Sequence, residues 1–113
     1  MSDPADALAA RLAPYRVNPG VVAALLISRD GFVVAADADP DIPADAVAAQ
    51  AAGVIDISSR LATELGQHEA KYISVEFDAL NVVLAPFGDE LMLALVGRPD
   101  TLVCDYRLAD GGG

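Results

Sequence analysis

Side chains that carry most enzyme chemistry are scarce in this sequence. It contains a single histidine, His68, a single cysteine, Cys104, and no tryptophan. A zinc site normally takes three or four Cys, His or carboxylate ligands, so this supply of thiol and imidazole is too small. The motifs G-x-S-x-G, G-x-x-x-x-G-K-[ST], G-x-G-x-x-G and H-E-x-x-H do not occur. We therefore expect no catalytic residues, no resident metal and no cofactor.

One acidic segment, Asp37-Ala38-Asp39-Pro40-Asp41, imitates the start of a calcium-binding loop. The sixth position of such a loop requires glycine for its sharp bend, and Ile42 stands there. The twelfth position requires a bidentate glutamate, and Ala48 stands there. We therefore interpret the segment as a solvated acidic loop before a helix.

The lone histidine and the lone cysteine have ordinary structural explanations. His68 follows a predicted helix end, where the negative end of the helix dipole favours a surface imidazole. Cys104 lies near an apolar tail, where a small buried or half-buried thiol is expected. A single cysteine cannot form a disulfide within the chain, which is typical of cytoplasmic proteins.

Length and composition narrow the class of protein further. The sequence has 113 residues, the size of one domain, and carries 7 Lys and Arg against 17 Asp and Glu, a net charge of −10. This charge repels nucleic-acid phosphates and anionic lipid, so we expect neither as a partner. Apolar residues make up 54% of the sequence, too many for a disordered chain. Since no apolar run approaches the roughly 20 residues of a membrane span and no signal peptide is evident, we expect a soluble, cytoplasmic protein.

A short helix and two strands are predicted in the first third of the chain. Pro14 ends the helix, whose apolar stripe consists of Ala5, Leu8, Leu12 and Tyr15. The continuous apolar run Val21–Ser28 is typical of a central strand covered on both faces. Asp30-Gly31 predicts a hairpin turn into a second strand, Phe32–Ala35. The segment Asp37–Asp41 has too many like charges to pair in a sheet, so we place it in solvent.

A long helix is predicted from Pro43 to Leu65, because proline suits the first helical turn and Gly66 the C-terminal stop. Spacings of four and three residues define its core face, which consists of Val47, Ala51, Val54, Ser58, Leu61 and Leu65. An outward face combines small and charged residues, namely Ala49, Ala52, Gly53, Asp56 and Arg60.

Three explanations of the small outward residues remain open. The first is the high alanine content of the whole chain. The second is close packing of two copies of the helix, in which Ala48 takes part. The third is a platform for both a second copy and a partner, since small side chains lose little entropy on contact. Gly53 costs about 1 kcal/mol relative to alanine inside a helix, which favours an offsetting contact.

Three more strands complete the pattern, at Tyr72–Phe77, Leu80–Ala85 and Leu91–Val96, with Pro86 closing the second of them. The order α-β-β-α-β-β-β predicts an α+β fold, a five-stranded antiparallel sheet with helices on its faces. We expect one domain over residues 1–100 and a short tail over residues 101–113.

The strand that follows the long helix is expected at a sheet edge, and an exposed edge invites pairing with another chain. It contains Glu76 as its only charged residue and no proline. We therefore predict antiparallel pairing of this strand with its copy in a twofold dimer. The predicted interface residues are Ala48, Tyr72, Ser74 and Glu76.

The ordered set of segments resembles the Roadblock / dynein light chain family over about Ala5–Pro99, and within it the bacterial MglB-like GTPase regulators. The resemblance rests on four segments: Pro19-Gly20-Val21, Ser28–Ala35 with its Asp-Gly turn, Leu61–Gly66, and Leu84–Val96. The family often carries a third helix after the last strand, whereas this sequence ends in a short acidic tail.

The resemblance implies a homodimer whose two sheets join edge to edge, with the two long helices side by side on one face. It also implies that a small Ras-like GTPase binds this helical face, and that hydrolysis is promoted by remodelling the GTPase's own residues, without an arginine finger. We assign Ala49, Ala52, Gly53, Asp56 and Arg60 to this contact. Arg60 is expected to pair with Asp56 or Glu64 on the helix surface.

The leading hypothesis is therefore a non-catalytic homodimeric regulator of a Ras-like GTPase. The alternative is a dimeric scaffold that recruits a non-GTPase signalling or motor partner. A small-ligand sensor is a third class, but no converging set of polar residues supports it.

Overall fold

Three helices and five strands follow one another in the computed structural model, which describes residues 4–99 and Thr101. The elements are α1 (Pro4–Ala10), α2 (Ala13–Arg16), β1 (Val21–Ser28), β2 (Val33–Ala38), α3 (Ala44–Glu64), β3 (Ile73–Glu76), β4 (Asn81–Phe87) and β5 (Leu91–Gly97). The tail predicted for residues 101–113, with Cys104, lies outside the described residues apart from Thr101.

The strands form one antiparallel sheet in the order β2-β1-β5-β4-β3, which confirms the predicted fold class. The predicted edge position of the strand after the long helix is also confirmed, because β3 lies at one edge and β2 at the other. Helix α3 connects these two edge strands, so the chain must cross one whole face of the sheet between them.

The two faces of the sheet are packed against different helices. On one face, Leu12 and Tyr15 from the α1–α2 region pack with alternate strand residues such as Leu26, Leu93 and Leu95. On the other face, Ala48 and Ala51 of α3 pack with the intervening residues, Leu25, Ile27, Met92 and Ala94 among them. Strands β1 and β5 are therefore covered on both sides, as their continuous apolar sequences require.

Two proline predictions were wrong. Pro14 lies in the first turn of α2 instead of ending the first helix, because the first turn does not use the missing N–H. Pro86 lies inside β4 opposite Met92 of β5. Strand β3 pairs with β4 only up to Leu84, so the side of Pro86 that lacks an N–H has no β3 neighbour to bond.

The acidic segment was also placed wrongly, because β2 continues to Ala38 and includes Asp37. Arg16 contacts the carboxylates of Asp37 and Asp39 at 3.2 and 2.7 Å and donates to the Val21 carbonyl at 2.6 Å. The hydrogen bond to Asp39 raises the pKa of the Arg16 guanidinium above its ordinary value, so the cation persists beside the two carboxylates. The Arg16 cation therefore offsets the repulsion between the carboxylates, which was the reason for predicting this segment outside the sheet.

The β1–β2 turn packs against α3. Gly31 has a φ of 91°, a conformation that side chains disfavour. A Cβ placed on Gly31 would lie 3.2 Å from the Ala52 Cβ and 3.4 Å from the Ala49 Cα. Ala49 and Ala52 are thus small where the turn approaches the helix.

Substitution Gly31→Ala should lower the free energy of unfolding by about 2–4 kcal/mol, because left-handed strain and displacement of the turn from α3 add up. Gly88→Ala is the control, since Gly88 also has a positive φ but nothing lies within 4 Å of its added Cβ. It should cost only the strain, about 1–2 kcal/mol. Urea unfolding of the two variants measures the difference, and equal losses would show that the turn is not seated on α3.

Candidate functional site

Helix α3 carries more apolar surface than the sheet covers. Its buried contacts come from Ala48 and Ala51, supported by the partly buried residues Ala44, Val47 and Ile55. Ile57, Leu61 and Leu65 are 67%, 59% and 64% exposed, and Val54 is also exposed. The predicted core face was therefore right for Val47 and Ala51 and wrong for Val54, Leu61 and Leu65. We call the exposed set Val54, Ile57, Leu61 and Leu65 the apolar ridge.

An apolar groove of about 400 Å³ lies beside the ridge, between α3 and the β3–β4 part of the sheet. Helix α3 lines it with Ala46, Val47, Gln50, Ala51 and Val54, and the sheet with Val75, Phe77, Val82 and Leu84. Phe77, at the end of β3, is 62% exposed. Ridge and groove share Val54, so together they form one continuous apolar surface that ends at the β3 edge of the sheet.

The two edges of the sheet differ in their readiness to pair. Strand β2 is blunted, because its register with β1 shifts between Leu26 and Ile27 and because Asp37 adds charge. Strand β3 pairs with β4 in unbroken register from Ile73 to Glu76. Only β3 therefore presents a regular edge to another strand.

The predicted dimer residues divide into two groups. Ser74 and Glu76 are exposed on β3, alternating with the half-buried Ile73 and Val75, and Tyr72 is exposed just before the strand. Ala48, in contrast, is 0% exposed and packs in the core against the sheet. Its assignment to a dimer interface was wrong, since its methyl group faces the sheet.

The predicted partner residues follow the opposite flank of α3 from the groove. Ala52 is half-buried beneath the β1–β2 turn, and Ala49 is exposed beside it. Gly53 is exposed, and nothing lies within 4 Å of its added Cβ. Asp56 and Arg60 form an exposed ion pair at 3.1 Å, which confirms the predicted surface pairing of Arg60. We call Ala49, Ala52, Gly53, Asp56 and Arg60 the polar flank.

A small pocket of about 320 Å³ adjoins the polar flank. Its lining includes Ala52 and Asp56 of the flank, together with Ser59, Arg29 and Glu69. Arg29, in the β1–β2 turn, contacts Glu69 at 3.2 Å, which ties this turn to the loop that leads into β3. The Ser59 hydroxyl donates to the same Glu69 carboxylate at 3.4 Å.

Sequence reasoning assigned three residues of the apolar ridge to the core, and it missed Ile57 and the exposed Phe32 of the β1–β2 turn. A signal for the ridge exists, because Val54, Ile57, Leu61 and Leu65 recur at helical spacings of three and four. All but Ile57 also belong to the predicted core stripe, so the spacing alone does not separate buried from exposed residues. Phe32 gives no such signal, since an aromatic residue after a turn is equally suited to burial.

Two classes of site find no support in the described part of the chain. Within it, no group of three or more His, Cys, Asp or Glu side chains is placed to hold a metal ion. Nor is any of its helices both long enough and apolar enough to cross a membrane.

A family model of the Roadblock/LC7 domain matches residues 8–97, most of the fold described above. The chain belongs to the Roadblock/LC7 family. The resemblance inferred from the sequence is thereby confirmed. Membership of this family supports a regulatory or scaffolding role, and the family is a non-catalytic one.

Solved Roadblock/LC7 relatives have the same fold. MglB of Myxococcus xanthus is 15% identical over 99% of this chain and 85% of its own, with a TM-score of 0.85. MglB of Thermus thermophilus is 23% identical over 98% and 85%, with a TM-score of 0.82. A Roadblock/LC7 domain of Streptomyces avermitilis is 28% identical over 96% and 90%, with a TM-score of 0.76. No sequence among functionally curated proteins matches the chain.

Substitutions at two positions on α3, the exposed Gly53 and the buried Ala48, should have opposite effects on stability. Gly53→Ala should raise the free energy of unfolding by about 1 kcal/mol, because the site is open and alanine favours helix. Ala48→Leu should lower it by about 1–3 kcal/mol, because the core has no room for the larger side chain. Urea unfolding at one protein concentration measures both changes. A stabilising effect of Ala48→Leu would contradict the buried position of Ala48.

Proposed function

We propose that this chain is a non-catalytic homodimer that binds a small Ras-like GTPase and modulates its nucleotide cycle. The observation that carries the proposal is the division of α3 into two exposed flanks. The apolar ridge and groove lie beside a regular sheet edge, as suits a second copy. The polar flank lies on the far side, where it stays accessible when the groove is covered. The single cysteine, which cannot form a disulfide within the chain, supports action in the cytoplasm.

The dimer part of the proposal follows from the cost of exposed apolar surface. Each large apolar side chain that becomes fully buried contributes about 1.5–3 kcal/mol, and the ridge alone offers four apolar side chains. A second α3 laid along the groove would cover them, while β3 gains backbone hydrogen bonds from its copy. A twofold axis between the two β3 strands accomplishes both at once.

The register of β3 pairing can be specified further. A twofold axis perpendicular to the sheet keeps each residue on its own face, so Val75 can lie opposite its copy. Ile73 then lies opposite Phe77 of the second copy on the α3 side, and Ser74 opposite Glu76 on the other. This register pairs apolar with apolar residues and keeps the two Glu76 carboxylates from facing each other.

Leu61→Glu should convert the dimer to a monomer, because a carboxylate would be buried in the ridge contact. Thr63→Glu is the matched control, since it adds the same charge to an exposed site on the same helix, off the ridge. Light scattering at micromolar concentration should give twice 11.6 kDa for the wild type and Thr63→Glu, and 11.6 kDa for Leu61→Glu. A wild-type mass near 11.6 kDa would refute the dimer.

Cysteine cross-linking tests the register. In a Cys104→Ala background, Val75→Cys should form an intermolecular disulfide, because directly opposite Cβ atoms lie about 4.5–5.5 Å apart. Ser74→Cys should not, because its copy is then a diagonal neighbour at about 7–8 Å. Non-reducing electrophoresis after mild oxidation distinguishes the two variants. Efficient bridging of Ser74→Cys alone would place the axis one residue earlier.

The GTPase part of the proposal concerns the polar flank. Two copies of α3 side by side would display two such flanks on one face of the dimer. Gly53 leaves room for close approach of a partner backbone, and Asp56 and Arg60 supply a charged pair at the rim. Arg60 is held by Asp56 and serves as a binding residue rather than as a donor to phosphate.

Gly53→Arg should abolish binding of a Ras-like GTPase purified from the source organism, because the new side chain occupies the space through which the partner approaches. Val17→Arg is the control, since Val17 is exposed next to α2 on the opposite side of the sheet. Calorimetric titration with the GTP-loaded partner measures affinity, and thermal unfolding checks the fold. If Gly53→Arg binds the GTPase with unchanged affinity, the polar flank is not part of the GTPase contact. A dimer that binds no GTPase would favour the scaffold role.

A further inference from the structure

A row of apolar side chains crosses the α1–α2 face of the sheet at the end where the β1–β2 and β4–β5 turns lie. Phe32 lies opposite Ser28 of β1, whose N–H donates to the Phe32 carbonyl at 2.9 Å. Ser28 lies opposite Leu91 of β5, and Leu91 lies opposite Phe87 of β4. Opposite residues share a face of the sheet, and Phe87 packs against the core cluster on the α1–α2 face. We call Phe32, Leu91 and Phe87, which therefore share this face, the end row.

The two ends of the row differ in what covers them. Phe87 is half-buried, and the guanidinium of Arg11 lies over its ring, 4.8 Å from the ring centroid. Phe32, at the other end, is 70% exposed, the most exposed aromatic side chain in the described part of the chain. The end row therefore already holds one guanidinium and leaves its second aromatic ring open to solvent.

Three carboxylates lie in the two turns beside the end row. Asp30 belongs to the β1–β2 turn, and Asp89 and Glu90 belong to the β4–β5 turn, which is its neighbour because β1 pairs with β5. All three are exposed and form no ion pair with any residue that the structure describes. Arg29 of the same turn is neutralised by Glu69 at 3.2 Å. The two turns therefore carry an excess of negative charge.

We propose that the end row is a docking surface for an arginine-bearing segment of a partner protein, with one arginine of the partner stacked on Phe32. The contact between Arg11 and Phe87 is an example, within the chain, of the row holding a guanidinium. Aromatic rings attract cations, and the planar guanidinium stacks on them in a way that the ammonium of lysine does not. The unpaired carboxylates of the two turns attract the same partner.

Other occupants fit this surface less well. Nucleic acid and anionic membranes are repelled by the three carboxylates. A second copy of the chain is disfavoured because it carries a net charge of −10. The end row lies on the sheet face opposite α3, and Phe32 borders β2, the edge strand farthest from β3. The proposed dimer and the proposed GTPase contact both leave Phe32 uncovered, so the inference and the proposed function can fail separately.

NMR titration with N-acetyl-arginine methylamide tests whether the end row takes a guanidinium. We expect saturable shifts of the Phe32 and Leu91 signals, with a Kd on the order of millimolar. N-acetyl-lysine methylamide should bind more weakly, because its ammonium does not stack on the ring. The citrulline derivative has nearly the shape of arginine without its charge, and it should not bind. Unchanged Phe32 signals, or equal binding of the citrulline derivative, would overturn the inference.

Three variants separate the ring from the charge. Phe32→Leu should weaken binding of the arginine derivative about threefold or more, because it removes the ring and keeps an apolar side chain. Asp30→Asn should weaken it about twofold, because Asn-Gly also suits the hairpin turn and only the charge is lost. Phe77→Leu is the control, since Phe77 is 62% exposed but lies in the groove beside α3. Unchanged affinity of Phe32→Leu, or an equal loss with Phe77→Leu, would contradict the stacking.

Photo-crosslinking in the source organism tests the chemistry of the partner. A benzophenone amino acid replaces Phe32 in one variant and Ala36 in the control, and circular dichroism checks that both fold. Ala36 is exposed on the same strand, but it lies opposite Leu25 and therefore on the α3 face. We expect an adduct specific to position 32, joined to a segment of another protein that contains arginine. No adduct at position 32, an adduct to a second copy, or a joined segment without arginine would overturn the proposal.

Discussion

A helix with apolar residues on two of its faces cannot bury all of them against a single face of a sheet. The arrangement of the apolar surface in this molecule depends on this constraint. Helix α3 uses Ala48 and Ala51 to contact the sheet, so it lies close to the strands. Its larger side chains, such as Ile57 and Leu61, are turned away from them. The helix thereby buries its small residues and exposes its large ones, the reverse of the usual arrangement in a monomeric domain. A stable assembly is the direct means of covering them.

The sheet is asymmetric in a way that suits this constraint. Its blunted edge, β2, is bound to the α2 region through Arg16, Asp37 and Asp39. Its regular edge, β3, borders the same groove that the apolar ridge lines. In the proposed dimer, pairing of β3 with its copy and burial of the apolar ridge therefore involve the same side of the molecule. The proposed partner contact at the polar flank lies on the other side of α3, so the two contacts would not compete.

Most of the fold was predictable from local patterns, because each local pattern agreed with the global one. Strand β1 has the predicted bounds, since its apolar run and the Asp30-Gly31 turn determine both its burial and its end. Two of the three misplaced features depended on distant residues. Strand β2 reaches Asp37 because Arg16 lies 21 residues before it, and β4 tolerates Pro86 because β3 is short. Neither condition is visible within a short stretch of sequence.

The candidate site was harder to predict than the fold, because a small residue on a helix can either pack against a close neighbour or lie on an open surface. Ala48 and Ala52 are small because the sheet and the β1–β2 turn press against them, whereas Gly53 is small on an open surface. Helical spacing places all three on adjoining positions and does not show which of them have a close neighbour and which face solvent. Only the neighbour that approaches each residue separates them. Residue size on α3 is thus constrained by the sheet at Ala48 and by the β1–β2 turn at Ala52, whereas no neighbour constrains it at Gly53.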